Sequence, residues 1–248
     1  MVLGGIGWSV IVDIYKRKRF TRFSLDTKMI ITTSIFLWVI GSLTFFLSEY
    51  TNANTIGPLS VSNKGFHSLF ESVSGRTAGF SSVDFSQVKD LTKLFFIGLM
   101  FIGGGAGSVA GGIKVGTFAV IVVAVISSIR GRLHVEAFGR EIPHFQVHRA
   151  LAIVILGAGL IFVMSLILTL TEPPDKFHFL DLLFETVSAF ATVGLSTGIT
   201  GELSQLGRVI IILTMFLGRV GPLTLALILA QREEAAPYRY AEERIKIG

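Results

Sequence analysis

The chain has 248 residues, 51% of them apolar and only 16% charged, with a mean hydropathy of +0.68 and a formal net charge of +5. That balance is too apolar for an ordinary soluble domain and points to a membrane protein. The 27 glycines agree, since Gly is commoner in membrane helices than in soluble ones. The absence of cysteine excludes disulfides and thiolate metal sites. The basic residues gather at the ends of apolar runs, which the positive-inside effect explains without any nucleic-acid partner.

Met1 to Val12 is apolar and is followed by Asp13 and the run Lys16-Arg17-Lys18-Arg19. The stretch falls short of the roughly 20 residues that a span needs. Its charge lies after the apolar run, opposite to a secretory signal. Residues 1–28 therefore read as the end of a preceding unit's spanning helix plus a cytoplasmic linker, and the chain is expected to be the C-terminal part of something longer. Met29 to Leu47 is about one membrane thickness long. A polar loop through Tyr50-Thr51-Asn52 and Gly57-Pro58 leads to Lys64 to Gly75, which carries His67 and Glu71 and is too short to span. It reads as a pore helix, after which Thr77 to Ser82 turns back out.

Leu91 to Ile129 would run to roughly 58 Å as one straight helix, against a hydrocarbon layer of about 30 Å. A break is expected at Gly103-Gly104-Gly105-Ala106-Gly107-Ser108-Val109-Ala110-Gly111-Gly112, because glycine tolerates non-helical backbone. Such backbone at that depth must line a cavity or be buried in protein. Arg130 to Arg149 reads as a basic loop, Ala150 to Leu170 as a span, Phe177 to Phe190 as a second pore helix, and Thr192 to Thr197 as a second turn. Leu206 to Ala230 is the last predicted span, and residues 231–248 form a charged tail.

Two stretches nearly repeat each other. Phe70-Glu71-Ser72-Val73-Ser74 runs into Thr77-Ala78-Gly79-Phe80-Ser81, and Phe184-Glu185-Thr186-Val187-Ser188 runs into Thr192-Val193-Gly194-Leu195-Ser196, about 114 residues later. The predicted fold is an all-α membrane protein of repeated span–pore helix–filter–span units. One unit occupies 29–130 and the other 150–230, joined by a cytoplasmic linker at 131–149. Lys16 to Lys28 holds six Lys/Arg and Arg130 to Arg149 holds four, whereas the loops at Glu49 to Asn63 and Thr171 to Lys176 hold one Lys between them. Basic loops stay cytoplasmic, so both turns open from the outside and the tail lies inside.

A re-entrant helix followed by a Thr-x-Gly turn suits cation chemistry. Backbone carbonyls replace the hydration shell of a potassium ion in such filters. Gly79 and Gly194 permit the backbone that aims carbonyls inward, Thr77 and Thr192 offer hydroxyl oxygens, and the negative C-terminal ends of the pore helices point at the ion. Potassium binding is thus assigned to Thr77, Ala78, Gly79 and Phe80 and to Thr192, Val193, Gly194 and Leu195. Glu71 and Glu185 are expected to pair behind the filter rather than face the ion, since charge at such depth needs a partner. Arg219, in Phe216-Leu217-Gly218-Arg219-Val220-Gly221-Pro222, is a functional expectation for the same reason. It either pairs with a carboxylate or places positive charge below the filter. Lys114 either binds carbonyls of the glycine break or snorkels to the interface.

The pattern Ser74-Gly75-Arg76-Thr77-Ala78-Gly79-Phe80, the stretch Gly103 to Lys114, and Thr192-Val193-Gly194-Leu195-Ser196 resemble the Trk/Ktr/HKT potassium transporters. The tail from Tyr238 to Gly248 looks like the end of a Ktr-type membrane subunit. The resemblance covers essentially the whole chain, with four motifs in order. It implies four units around one pore, of which the third and fourth are present here with the tail of the second. It makes Gly103, Gly104, Gly105, Gly107, Ser108, Gly111, Gly112 and Lys114 the gate loop beneath the filter and puts Arg219 in the pore. It implies potassium uptake across the cytoplasmic membrane with sodium dependence, and no enzymatic activity or cofactor in this chain. It also implies a homodimer of the full subunit on cytosolic nucleotide-binding regulatory subunits. In that family glycine at the filter position favours potassium over sodium, and both visible positions are Gly.

Four other readings compete. Gly194-Leu195-Ser196-Thr197-Gly198 matches the Gly-x-Ser-x-Gly elbow of serine hydrolases, but no histidine lies deep in a span to act as base. Gly107 and Gly112 have phosphate-loop spacing, yet Ile113 stands where Lys is required. A non-conducting scaffold would use the glycines only for helix packing, and a fragment would be inert alone.

Overall fold

The computed structural model describes residues 1–173 and 175–221. The end of the last predicted span and the tail at 231–248 lie outside the described residues. The fold is mostly helical: α1 (Val2–Ile6), α2 (Trp8–Arg17), α3 (Leu25–Glu49), α4 (Val61–Ser74), α5 (Asp90–Phe101), α6 (Val115–Ile129), α7 (His144–Thr171), α8 (Phe179–Phe190) and α9 (Gln205–Val220). Of the described helices, α3 (25 residues) and α7 (28 residues) are long and apolar enough to cross a membrane, at about 38 and 42 Å.

Local chemistry sets the helix boundaries. Ser24 caps α3 by accepting from the Thr27 amide at 3.2 Å, with Asp26 in the first turn. Ser204 does the same for α9 through the Gly207 amide at 3.0 Å. The second predicted helical run is broken where expected: α5 stops at Phe101 and α6 starts at Val115.

The structure departs from the expected organisation at two places, one of which breaks the all-α pattern. The 131–149 stretch is not simply a loop. Val135–Ala137 and Arg140–Ile142 form a two-stranded antiparallel hairpin (β1 and β2), and α7 already begins at His144. Phe138 and Gly139 between the strands both have positive φ, 51° and 73°, which is the requirement of a two-residue type I′ turn. The N-terminal stretch is two helices rather than one, interrupted at Gly7, whose φ is 95°.

The core joins the two repeated stretches. Phe85 and Phe96 meet at 5.3 Å, Phe45 packs on Phe96 at 5.7 Å and Phe184 on Phe85 at 5.6 Å, tying α3, α5 and α8 together. Close backbone approach is bought by small residues: a Cβ on Gly41 of α3 would overlap the Ser72 hydroxyl of α4, which donates to Trp38 O at 2.8 Å. Between α5 and α8, Lys93 and Asp181 form a largely buried ion pair at 2.8 Å. Removing one partner strands a buried charge, at about 3 kcal/mol. Asp181→Asn is therefore expected to lower the thermal midpoint of the detergent-solubilised protein, and Lys93→Met/Asp181→Leu to recover much of the loss. Equal midpoints for Asp181→Asn and the unaltered protein would refute this role.

Candidate functional site

Two turns built on one plan meet face to face. Each follows the C-terminus of a short helix, α4 or α8, and each begins with a threonine in the left-handed region: Thr77 at φ 69° and Thr192 at φ 51°. Each continues through a residue of ordinary φ to a glycine at positive φ, Gly79 at 73° and Gly194 at 95°. A non-glycine residue in that region is strained and persists only where its surroundings hold it.

The helix ends hold the turns. Ala78 N donates to Ser74 O at 3.0 Å and Val193 N to Ser188 O at 2.9 Å. The Ser74 hydroxyl donates to Phe80 O, and the Ser188 hydroxyl to Leu195 O at 2.6 Å. These two serines are site residues that motif reading passed over, although both close the repeated Phe-Glu-(Ser/Thr)-Val-Ser signature.

Glu71 and Glu185 each find hydrogen-bond partners in the residues that follow their turn. Glu71 accepts from Ser82 N at 2.6 Å and from the Ser81 and Ser82 hydroxyls. Glu185 accepts from Thr197 N at 2.8 Å and from the Ser196 and Thr200 hydroxyls at 2.6 and 2.7 Å. Ser196 is thus bound to a carboxylate, and none of its hydrogen bonds among the described residues reaches an imidazole. The hydrolase reading has no base there.

A second carboxylate pair escaped the sequence. Glu49 accepts from Lys89 N, at the start of α5, at 2.9 Å, and Glu172 accepts from Ser204 N, at the start of α9, at 3.1 Å. Both are buried, and each places negative charge at a helix N-terminus. The only sequence signal was an acidic residue closing each long apolar run.

The turns touch through their glycines. A Cβ on Gly79 would overlap the Val193 carbonyl oxygen and lie 3.1 Å from Gly194 Cα. The glycine-rich break lies against the second turn, where a Cβ on Gly111 would sit 2.5 Å from Ala191 O and overlap the Thr192 hydroxyl. The loop has a closed neck: Ile113 N donates to Phe101 O at 3.1 Å and Gly103 N to Ile113 O at 2.8 Å. Its far part rests on α1, with Gly105 N donating to Gly5 O at 2.7 Å. A cavity lies between turn and loop, lined by Thr77, Ala78 and Phe80 on one side and Gly104, Val109 and Ala110 on the other.

Two cations hold adjacent carbonyls of the loop. Lys114 Nζ donates to Ala110 O, the first of its two expected roles. Arg219 Nη1 donates to Val109 O at 2.6 Å. The alternative of a carboxylate partner for Arg219 is not met among the described residues, whose ion pairs do not include it. The structure therefore assembles both turns, the loop with Gly103, Gly104, Gly105, Gly107, Ser108, Gly111 and Gly112, and the two cations. Phe80 and Leu195 differ, the first exposed and the second buried.

Comparison with known proteins gives a consistent picture. The family described as TrkH, cation transport protein, matches residues 1–238. The Ktr system potassium uptake protein B of Bacillus subtilis is 42% identical over 247 residues, covering 100% of this chain and 55% of the relative. Its namesake from Vibrio alginolyticus is 41% identical, at 100% and 54% coverage. The potassium/sodium uptake protein NtpJ of Enterococcus hirae is 34% identical, at 100% and 55%. Among solved structures, that of the potassium transporter TrkH from Vibrio parahaemolyticus superposes with a TM-score of 0.73 at 20% identity, over 92% of this chain and 50% of that one. The chain thus spans about half the length of the relatives it matches.

Proposed function

This chain belongs to the TrkH cation transport protein family, a family of transporters rather than enzymes, and we propose that it forms part of the ion-translocating subunit of a potassium uptake system in the cytoplasmic membrane. The observation that carries the reading is the apposition of Gly79 and Gly194, each two residues after a threonine in the left-handed region. That geometry suits a filter whose backbone carbonyls replace the ion's water. A scaffold has no use for strain at both threonines.

In this reading the chain supplies two of four filter turns, as the third and fourth span–pore–span units at 29–130 and 150–230. The remaining turns come from sequence outside it. The loop at 103–112 is the gate, and potassium is the substrate, taken up with sodium dependence. The basic linkers at 16–28 and 130–149 face the cytoplasm, as does the C-terminal tail. The full subunit works as a homodimer on cytosolic nucleotide-binding subunits.

Rubidium uptake in a bacterium lacking its own potassium uptake tests this. The chain alone is expected to give none, and the chain joined to the complementary half of a Ktr-type relative is expected to restore uptake. Robust uptake by the chain alone would overturn the two-of-four reading, and none by the completed protein would overturn transport.

A further inference from the structure

We propose that Arg76 is a positioning residue that locks the neck of the glycine loop to the first filter turn, so that filter and gate keep one register. The proposal rests on the reading of turn and loop as filter and gate. Arg76 immediately precedes Thr77 and is 8% exposed. It joins none of the ion pairs among the described residues. A buried guanidinium without a carboxylate must find its compensation in dipoles.

Arg76 finds that compensation where α5 ends. Nη2 donates to Gly103 O at 2.8 Å, and longer contacts of 3.5 Å run from Nε to Ile102 O and from Nη1 to Ser34 O. The Trp38 ring lies 5.9 Å from its Cζ, within reach of a cation–π interaction. Carbonyls at a helix C-terminus lack intrahelical partners and carry negative partial charge. The break that releases the loop therefore also creates the acceptors for Arg76, and carbonyls turned to Arg76 are withheld from the permeating ion.

The neck passes this grip on. Gly103 and Ile113 are hydrogen bonded, as are Ile113 and Phe101, so holding the outgoing strand also holds the returning one. Movement of the gate is then confined to residues beyond the neck. A shift of the neck itself would pull on the peptide before Thr77, the strained residue of φ 69° that opens the filter turn.

The test uses the complete transporter carrying this chain, with rubidium influx measured against potassium and sodium as competitors. Arg76→Gln is expected to raise the KM for potassium at least about ten-fold, the size of one lost charge-assisted hydrogen bond. It should also lower potassium-over-sodium discrimination, whatever happens to the maximal rate per transporter. Arg76→Lys keeps the charge but not the planar fork and should fall between. Trp38→Leu, which removes only the ring, should shift both readouts the same way by less. Wild-type KM and discrimination in Arg76→Gln and Arg76→Lys, with only abundance reduced, would reduce Arg76 to a folding residue. If Arg76→Gln fails to reach the membrane, Arg76→Lys and Trp38→Leu decide by the same readouts. Absence of uptake by the unaltered transporter would instead overturn the function proposed above, and this inference with it.

Discussion

Gly79→Ala is expected to abolish potassium uptake, while Gly194→Ala retains measurable uptake with weakened selectivity. Both glycines occupy positive φ, 73° and 95°, and an L-residue there costs about 1–2 kcal/mol. That cost is common to the two. Their surroundings are not. The new methyl on Gly79 would overlap the backbone carbonyl of Val193 in the opposing turn, which can yield only by displacing that turn. Among the described residues the new methyl on Gly194 would meet only Gly79 Cα, at 3.6 Å, an ordinary van der Waals distance. Rubidium influx, normalised to transporter in the membrane, with sodium as competitor, separates the two variants. Equal loss in both would mean that left-handed backbone alone matters and that the turns do not press on each other.

Arg219→Gln is expected to raise uptake at limiting potassium by about ten-fold, as expected for the loss of one charge-assisted hydrogen bond. Its guanidinium holds Val109 O at 2.6 Å, next to Ala110 O, which Lys114 holds. Both carbonyls belong to the loop that lies against the second turn. Glutamine removes the charge and is too short to keep the latch, so a loop acting as the proposed gate would leave the pathway more often. Arg219→Lys keeps the charge and should raise uptake less. A fall in uptake, or no change, would place the hold on the loop elsewhere, first of all on the Gly105–Gly5 backbone bond of 2.7 Å.

Much of this architecture was legible in the chain because a membrane imposes length and polarity on sequence. The apolar runs placed α3 and α7, and the impossible length of Leu91 to Ile129 demanded the break that the structure has between Phe101 and Val115. The hairpin at 135–142 was not legible. Its strands are three residues each, and its turn puts Phe138 where Asn or Asp would have signalled positive φ. The early start of α7 was missed because His144 to Arg149 is polar helix extending past the apolar run.

By itself the sequence determined the class of the protein, the repeated turn and the place of the glycine loop, since these rest on local composition and spacing. Only the tertiary structure decided which groups meet. Glu49 reaches Lys89 N across 40 residues and Glu172 reaches Ser204 N across 32. Arg219 finds a loop carbonyl 110 residues away, and a methyl on Gly79 would strike the Val193 carbonyl while one on Gly194 would make ordinary contact with Gly79 Cα. Contacts of that range follow from how helices pack, and helix packing depends on shape at separations that no local pattern encodes.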